Sequence, residues 1–129
     1  MREPIWLQKD AVIAFHDILL VEHGGPIGMR DEGLLESALG RPINKYFYEN
    51  ADIFDLAAAY AVGITKNHPF IDGNKRTAFV SMKTFLARNG LWARFPKIEA
   101  VQTFFSLAAA EVDTEKLTKW IKAHCNLIK

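Results

Sequence analysis

The sequence has very little of what stabilises small secreted or metal-bound proteins. Cys125 is the only cysteine among 129 residues, so the chain can form neither an internal disulfide nor a cysteine-based zinc site. No apolar run reaches the ~20 residues that cross a bilayer, and the first residues lack the layout of a signal peptide. We therefore expect a cytoplasmic protein without a membrane partner.

Charge of one sign is also missing. The 16 Lys and Arg residues nearly balance the 15 Asp and Glu residues, which gives a formal net charge of +1. This balance argues against a large basic field, so we expect no specific nucleic-acid partner. The chain has no repeats, low-complexity tracts or Pro/Gly-rich linkers, and its hydrophobic fraction of 50% is that of a globular protein. We expect one domain over residues 1–129.

Apolar periodicity and turn residues divide the chain into helix-sized pieces. They predict helices over about residues 9–22, 31–40, 52–66, 74–89, 98–110 and 114–124, and a short extended piece over 92–95. Asp31, Asp52 and Asn74 are good N-caps for the second, third and fourth helices. The third helix is apolar almost all round, which indicates a place at the centre of a bundle.

The segment 43–50 follows Pro42 and contains three consecutive aromatic residues. Its strand propensity predicts a short hairpin or an irregular flap. Apart from this flap, the expected fold is an all-α single-domain bundle of about six helices with short connections.

Residues 68–76, HPFIDGNKR, combine residue types that suit proton transfer and anion binding. Histidine is the side chain that best serves as a general base near neutral pH, and Asp72 follows His68 by four residues. Lys75 and Arg76 lie in the first turn of the fourth helix, where cations oppose a macrodipole effect of about 0.3–1 kcal/mol. Positive charge at this position is useful where an anion docks, which predicts a phosphate site. Gly73 would let the backbone approach the ligand closely.

Each of these residues also has an ordinary structural explanation. Asp72 before a glycine is common turn chemistry, Asn74 is a good N-cap, and Phe70 is most simply a core anchor. The order of the residue types, rather than any single one, favours a functional site. A ribonuclease and a non-catalytic interaction domain stay open, whereas a metal-dependent hydrolase would need more ligands than His68 and Asp72.

The segment 68–76 resembles the signature of the Fic/Doc family, and specifically of its death-on-curing (Doc) toxin branch. Residues 24–38, GGPIGMRDEGLLESA, are similar to the same branch and lie at the family's usual separation from the first segment. The resemblance covers about residues 1–90. It implies the family's all-α fold, a toxin of a type II toxin–antitoxin system, and the use of ATP and Mg²⁺.

The resemblance also implies a role for each motif residue. His68 corresponds to the general base that acts on a hydroxyl of the target protein, and Asp72 corresponds to the acidic residue that helps to hold Mg²⁺. The anion hole and nucleotide site correspond to the next four residues, Gly73, Asn74, Lys75 and Arg76. The catalytic set implied in this way is His68, Asp72, Lys75 and Arg76.

Four positions bear on which group is transferred. Adenylylating members of the family typically have glycine where this chain has Lys75, and a second arginine where it has Phe79. Both differences resemble the Doc branch, which transfers the γ-phosphoryl group of ATP to a threonine of elongation factor Tu. Gly73 and Pro69 match the adenylylating form more closely, so AMP transfer is the alternative. The resemblance thus implies a protein kinase that modifies Ser or Thr and halts translation.

A separate antitoxin is the expected protein partner. Many Fic proteins carry an internal inhibitory helix in which a glutamate follows Ser or Thr by four residues. No glutamate in this chain has Ser or Thr at that position. The expected inhibitor is therefore a Phd-like protein whose acidic amphipathic helix folds on binding near His68 and the basic fourth helix.

Overall fold

The computed structural model describes residues 2–127, which form six helices and two short strands. The helices are α1 (Lys9–His23), α2 (Glu32–Tyr48), α3 (Ile53–Asn67), α4 (Asn74–Arg88), α5 (Lys97–Ala108) and α6 (Thr114–Ala123). The strands are β1 (Leu91–Ala93) and β2 (Cys125–Leu127). The predicted six-helix bundle is thus confirmed. None of the helices within residues 2–127 is both long enough and apolar enough to span a bilayer.

Helix α3 lies at the centre of the bundle, as its apolar sequence predicted. Every residue from 56 to 65 is buried, and α3 packs against α2, α4, α5 and α6. Gly63 allows α2 to come close, because a Cβ atom there would lie 3.1 Å from the carbonyl oxygen of Ala38. Asp52 caps the start of α3 in a capping box, which confirms the predicted N-cap.

The flap predicted over residues 43–50 is wrong, because α2 continues through Pro42 to Tyr48. A proline inside a helix costs free energy, since it cannot donate an amide hydrogen to the carbonyl four residues earlier. Burial offsets this cost: the buried positions of α2 follow helical spacing through the proline, namely Leu35, Ala38, Leu39 and Pro42. Tyr46 extends the same stripe, and its ring centroid lies 5.7 Å from that of Trp6.

The two strands form a small antiparallel sheet in which Trp92 lies opposite Asn126. The extended piece predicted at 92–95 corresponds to β1, whereas β2 was not predicted. The pairing continues beyond the strands, since the amide of Arg94 donates to the carbonyl of His124 at 3.0 Å. A three-residue strand carries too little periodicity to be recognised, and its partner is distant in sequence.

Tyr60 links the centre of α3 to the segment that precedes α1. Its side chain is fully buried, and its hydroxyl oxygen accepts a hydrogen bond from the amide of Leu7 at 3.1 Å. Burial raises the pKa of Tyr60 from 10.0 to about 12. The neutral phenol is therefore the form that the folded protein favours.

We expect Tyr60→Phe to lower the free energy of unfolding by about 1–2 kcal/mol near neutral pH, because the buried Leu7 amide loses its acceptor. This deficit should shrink above pH 10, where the unfolded wild-type tyrosine ionises while the folded one stays neutral until about pH 12. Ionisation of Tyr60 in the unfolded state therefore lowers the free energy of unfolding of the wild type, whereas the variant has no phenol to ionise at this position. Denaturant titrations across this range measure both effects, and a deficit that stays constant up to about pH 12 would contradict the assignment.

Candidate functional site

The motif begins where α3 ends. His68 is the C-cap of α3 and adopts a left-handed backbone conformation, with φ 53° and ψ 54°. Its amide donates to the carbonyl of Ile64 at 3.2 Å, and its side chain is exposed. Pro69 and Phe70 then turn inward and are buried. The sequence prediction that Pro69 ends the third helix at His68 is confirmed.

Arg30 fixes the outer side of this turn. Its Nε donates to the carbonyl of His68 at 2.8 Å, and its Nη2 donates to the carbonyl of Asn67 at 2.8 Å. The backbone amides of Arg30 and Asp31 both donate to the carbonyl of Pro69, at 2.7 and 3.0 Å. A guanidinium at the C-terminal end of a helix also stabilises the helix dipole. The backbone around His68 is therefore held both by the side chain of Arg30 and by the amides of Arg30 and Asp31.

Asn74 fixes the inner side of the turn. Its side chain is buried; Oδ1 accepts from the amide of Phe70 and Nδ2 donates to the carbonyl of the same residue, both at 2.9 Å. The prediction that Asn74 caps the fourth helix is wrong, because Gly73 is the N-cap and Asn74 is the first helical residue. The physical reason is that the buried peptide groups of Phe70 need partners, and a carboxamide supplies both a donor and an acceptor.

The start of α4 is open to an anion. The first amide that bonds back along α4 is that of Thr77, which donates to the carbonyl of Gly73 at 3.0 Å. The amides of residues 74–76 precede this bond and so lie outside the helical ladder. Gly73 has no side chain to cap them, whereas aspartates cap the starts of α2, α3 and α6. Amide donors and the positive end of the helix dipole are thus presented together.

Positive side chains accompany these amides, and the first turn of α4 has no acidic residue. Arg76 is exposed. Lys75 is half-buried, and its Nζ lies 4.8 Å from the ring centroid of Phe105 on α5 in a cation–π contact. The structure therefore places both predicted cations at the start of α4, with Lys75 directed toward α5.

Asp72 lies beside the loop that follows α1. A Cβ atom on Gly25 would lie 2.7 Å from Asp72 Oδ2, so this loop passes directly against the carboxylate, and the φ of 121° at residue 25 favours glycine. Asp72 is itself exposed. Segments 24–38 and 68–76, which the sequence singled out separately, are thus in direct contact.

The donor set at Asp72 fits Mg²⁺ that is shared with a phosphate ligand. Mg²⁺ takes oxygen ligands and is usually held by one or two carboxylates together with substrate phosphates and waters. The Asp72 carboxylate is such a ligand, and it is adjacent in sequence to the open start of α4. Across residues 2–127, no group of three or more His, Cys, Asp and Glu side chains is arranged to hold a metal ion.

Comparison with known proteins identifies the family. The sequence profile of the Fic/DOC family matches residues 6–86, more than half of the chain. The chain belongs to the Fic/DOC family. It is 32% identical over 117 residues to "Protein kinase doc" of Escherichia phage P1, which covers 90% of this chain and 92% of the relative. It is 35% identical over 101 residues to "Toxin Doc" of Mycolicibacterium smegmatis (strain ATCC 700084 / mc(2)155), with coverages of 75% and 78%.

The resemblance stated from the motif is therefore confirmed at the level of the family. Both motif segments of this Fic/DOC chain, 24–38 and 68–76, lie inside the matched region. Sequence analysis did not single out two residues that hold the motif, Arg30 and His16. Arg30 lies within segment 24–38. No role in a helix was predicted for this arginine, and that was the available signal that it acts elsewhere. His16 gave no such signal, because its contact with the motif joins residues that are distant in sequence.

Asn74→Asp tests whether the clamp on Phe70 shapes the motif. The carboxylate keeps an acceptor for the Phe70 amide but sets a second oxygen against the Phe70 carbonyl, so we expect a loss of about 1–3 kcal/mol in stability. Hydrogen exchange of the amides in residues 68–76 should accelerate most.

Asn89→Asp is the matched control at the other end of α4. Asn89 binds the backbone of Ile5 through both its Oδ1 and its Nδ2, at 2.8 and 3.1 Å, in the same pattern. Its substitution should accelerate exchange near Ile5 and leave residues 68–76 protected. The same exchange pattern in both variants would show that the clamp of Asn74 has no specific effect on the motif.

Proposed function

We propose that this Fic/DOC protein is the toxin of a type II toxin–antitoxin system. In this proposal it transfers the γ-phosphoryl group of ATP to a serine or threonine of elongation factor Tu and thereby halts translation. The observation that carries the proposal is the uncapped start of α4 with Lys75 and Arg76, directly after the exposed His68 and Asp72. Similarity to one protein named a kinase and to another named a toxin supports the activity and the biological role.

The proposed catalysis depends on position and charge. ATP with Mg²⁺ supplies, when bound, the transferable phosphoryl group and part of the charge neutralisation. The carboxylate of Asp72 would hold the metal ion, and the amides of residues 74–76 with Lys75 and Arg76 stabilise the negative charge of the transferred group. His68 accepts the proton of the target hydroxyl. The hydroxyl oxygen bonds to the γ-phosphorus while the bond between that phosphorus and the ADP oxygen breaks, so ADP leaves.

Phe79 favours phosphoryl transfer over AMP transfer. Its ring packs edge-on against those of Phe95 and Phe104, with centroid distances of 5.7 and 5.5 Å. An aromatic side chain in this packing brings no charge to the position where adenylylating relatives have a second arginine. Gly73 and Pro69 match the adenylylating form, so AMP transfer to a hydroxyl side chain is the second candidate.

The proposal includes a separate antitoxin and an intracellular site of action. A relative of this chain is named a toxin, and an enzyme that arrests translation needs an inhibitor. α4 has Lys75, Arg76, Lys83 and Arg88 and no acidic residue, which suits an acidic amphipathic helix of a Phd-like protein. The proposed target of the toxin is elongation factor Tu, so the toxin acts in the cytoplasm in this proposal.

The test is incubation of the protein with purified elongation factor Tu and ATP labelled at either the α- or the γ-phosphate. Phosphoryl transfer carries only the γ-label to the target, whereas AMP transfer carries only the α-label. Mass spectrometry then locates the modified side chain. Toxic activity that survives without nucleotide or metal would favour a ribonuclease-type toxin, and ATP binding without any transfer would favour a non-catalytic domain.

His68→Ala should lower the rate of transfer by about 10²–10⁴-fold, because the variant has no general base. The thermal stability should change little, since the His68 side chain is exposed. His23→Ala removes another exposed histidine, at the end of α1, and should retain activity. If His68→Ala arrested growth as strongly as the wild type at equal expression, His68 would not be the base.

Arg76→Ala and Lys83→Ala separate an anion hole from a diffuse basic surface. Both substitutions remove one positive charge from α4, but Lys83 lies two turns further along and contacts the ring of Phe79. The end effect of the helix dipole is confined to the first turn. We expect Arg76→Ala to weaken use of ATP far more than Lys83→Ala in a titration of initial rates. Equal effects would indicate a diffuse basic face.

A further inference from the structure

His16 is a buried histidine for which the proposed catalysis has no role. It lies on α1 with 2% of its surface exposed, and its ring stacks on that of Phe70 with a centroid distance of 3.8 Å and an interplanar angle of 9°. A buried imidazole needs hydrogen-bond partners, because an unpaired polar group in the interior costs free energy. The position of its partner places His16 against the motif.

The partner of His16 is the backbone of the motif loop. Its Nε2 lies 2.8 Å from the carbonyl oxygen of Asp72. A carbonyl oxygen only accepts, so Nε2 carries the hydrogen and donates it. Nδ1 lies 3.8 Å from Asp17 Oδ1, which is too far for a hydrogen bond. The bond to Asp72 is therefore the hydrogen bond that orients the ring, which also stacks on Phe70.

This bond also fixes the direction of the next amide. In a trans peptide unit the C=O and the following N–H point in opposite directions, so a carbonyl of Asp72 that faces His16 directs the amide of Gly73 away from α1. Gly73 has φ 79°, and glycine crosses easily between backbone conformations. A peptide next to such a residue can rotate unless one of its groups is held. His16 holds it, with its ring directly beneath Gly73, where a Cβ atom would lie 3.6 Å from His16 Cδ2.

We infer that His16 is a positioning residue of the nucleotide site: its Nε2–H holds the Asp72–Gly73 peptide so that the amide of Gly73 joins those of residues 74–76 as donors to a phosphate. The same bond fixes the backbone from which the Asp72 carboxylate projects. This inference rests on the proposed use of ATP. It adds a residue outside the motif that determines whether the motif backbone can bind the phosphate.

Three substitutions of His16 separate this role from simple packing. His16→Gln keeps a donor near the position of Nε2, His16→Asn has its donor too close to the backbone to reach Asp72, and His16→Leu fills the space without a donor. We expect the Leu and Asn variants to bind Mg·ATP about tenfold more weakly than the wild type, as the loss of one oriented hydrogen bond implies. The Gln variant should stay within about threefold of the wild type.

Binding is measured by isothermal titration with Mg·ATP on variants whose thermal unfolding shows that they are folded. Without nucleotide, hydrogen exchange at residues 73–76 should be faster in the Leu and Asn variants and near the wild-type rate in the Gln variant. If His16 were only a packing residue, the Leu variant would bind as the wild type does, or the Gln variant would be as weak as the Leu variant. Either result would overturn the inference.

The outcome is distinguishable from a failure of the proposed kinase activity. A wild type that binds Mg·ATP but modifies no protein would contradict the kinase, while the order of binding among the variants still decides the role of His16. A wild type that binds no Mg·ATP would overturn the nucleotide site, and with it the role of His16 there. In that case the exchange rates at residues 73–76 would still report whether His16 holds the loop.

Discussion

Helix α3 has no polar face, so other helices have to pack on every side of it. This requirement determines where the other elements of the fold lie. α2 and α4 pack on it most extensively, and α5 and α6 cover what remains. The buried stretch 56–65 stops two residues before α3 ends. The chain therefore emerges from the core at His68, and the last turn of the most buried helix delivers the candidate base to the surface.

The motif that follows is shaped mainly by backbone hydrogen bonds. Three side chains from different parts of the chain hold its peptide groups: Arg30 binds the end of α3, Asn74 binds Phe70, and His16 binds Asp72. The amides at the start of α4 have no helical partners, because the first amides of a helix precede its hydrogen-bond ladder. An anion site made of amides needs such external support, because amide donors bind well only when their directions are fixed beforehand.

The parts of this fold that the sequence predicted are those whose interacting residues are neighbours in the chain. Asp31 and Asp52 cap the helices that start beside them, and Pro69 ends the helix just before it. The flap prediction after Pro42 was wrong because the local cost of a proline is visible in sequence, whereas the burial that offsets it depends on tertiary packing. The helical spacing from Leu35 to Pro42 was the signal that favoured a continuous helix.

The same distinction between local and distant interactions applies to the candidate site. The chemistry of residues 68–76 could be predicted from their order and from the resemblance to the family. The geometry could not, because Arg30 and His16 reach the motif from distant positions and Asn74 turns back to Phe70 instead of capping its own helix. Residue types indicate which groups are present, and only tertiary contacts determine where they point.

Helix α4 also separates the motif from the ends of the described chain. Ile5 is bound to Asn89 just beyond the last turn of α4, and β2 pairs with β1 at the same end. The 15 residues of α4 span about 22 Å, so Ile5 and the β1–β2 pair lie about a helix length from Gly73. A label or surface anchor attached to a side chain beside Ile5 or on the β1–β2 sheet would therefore lie away from the open start of α4, which suits immobilised binding measurements on this protein.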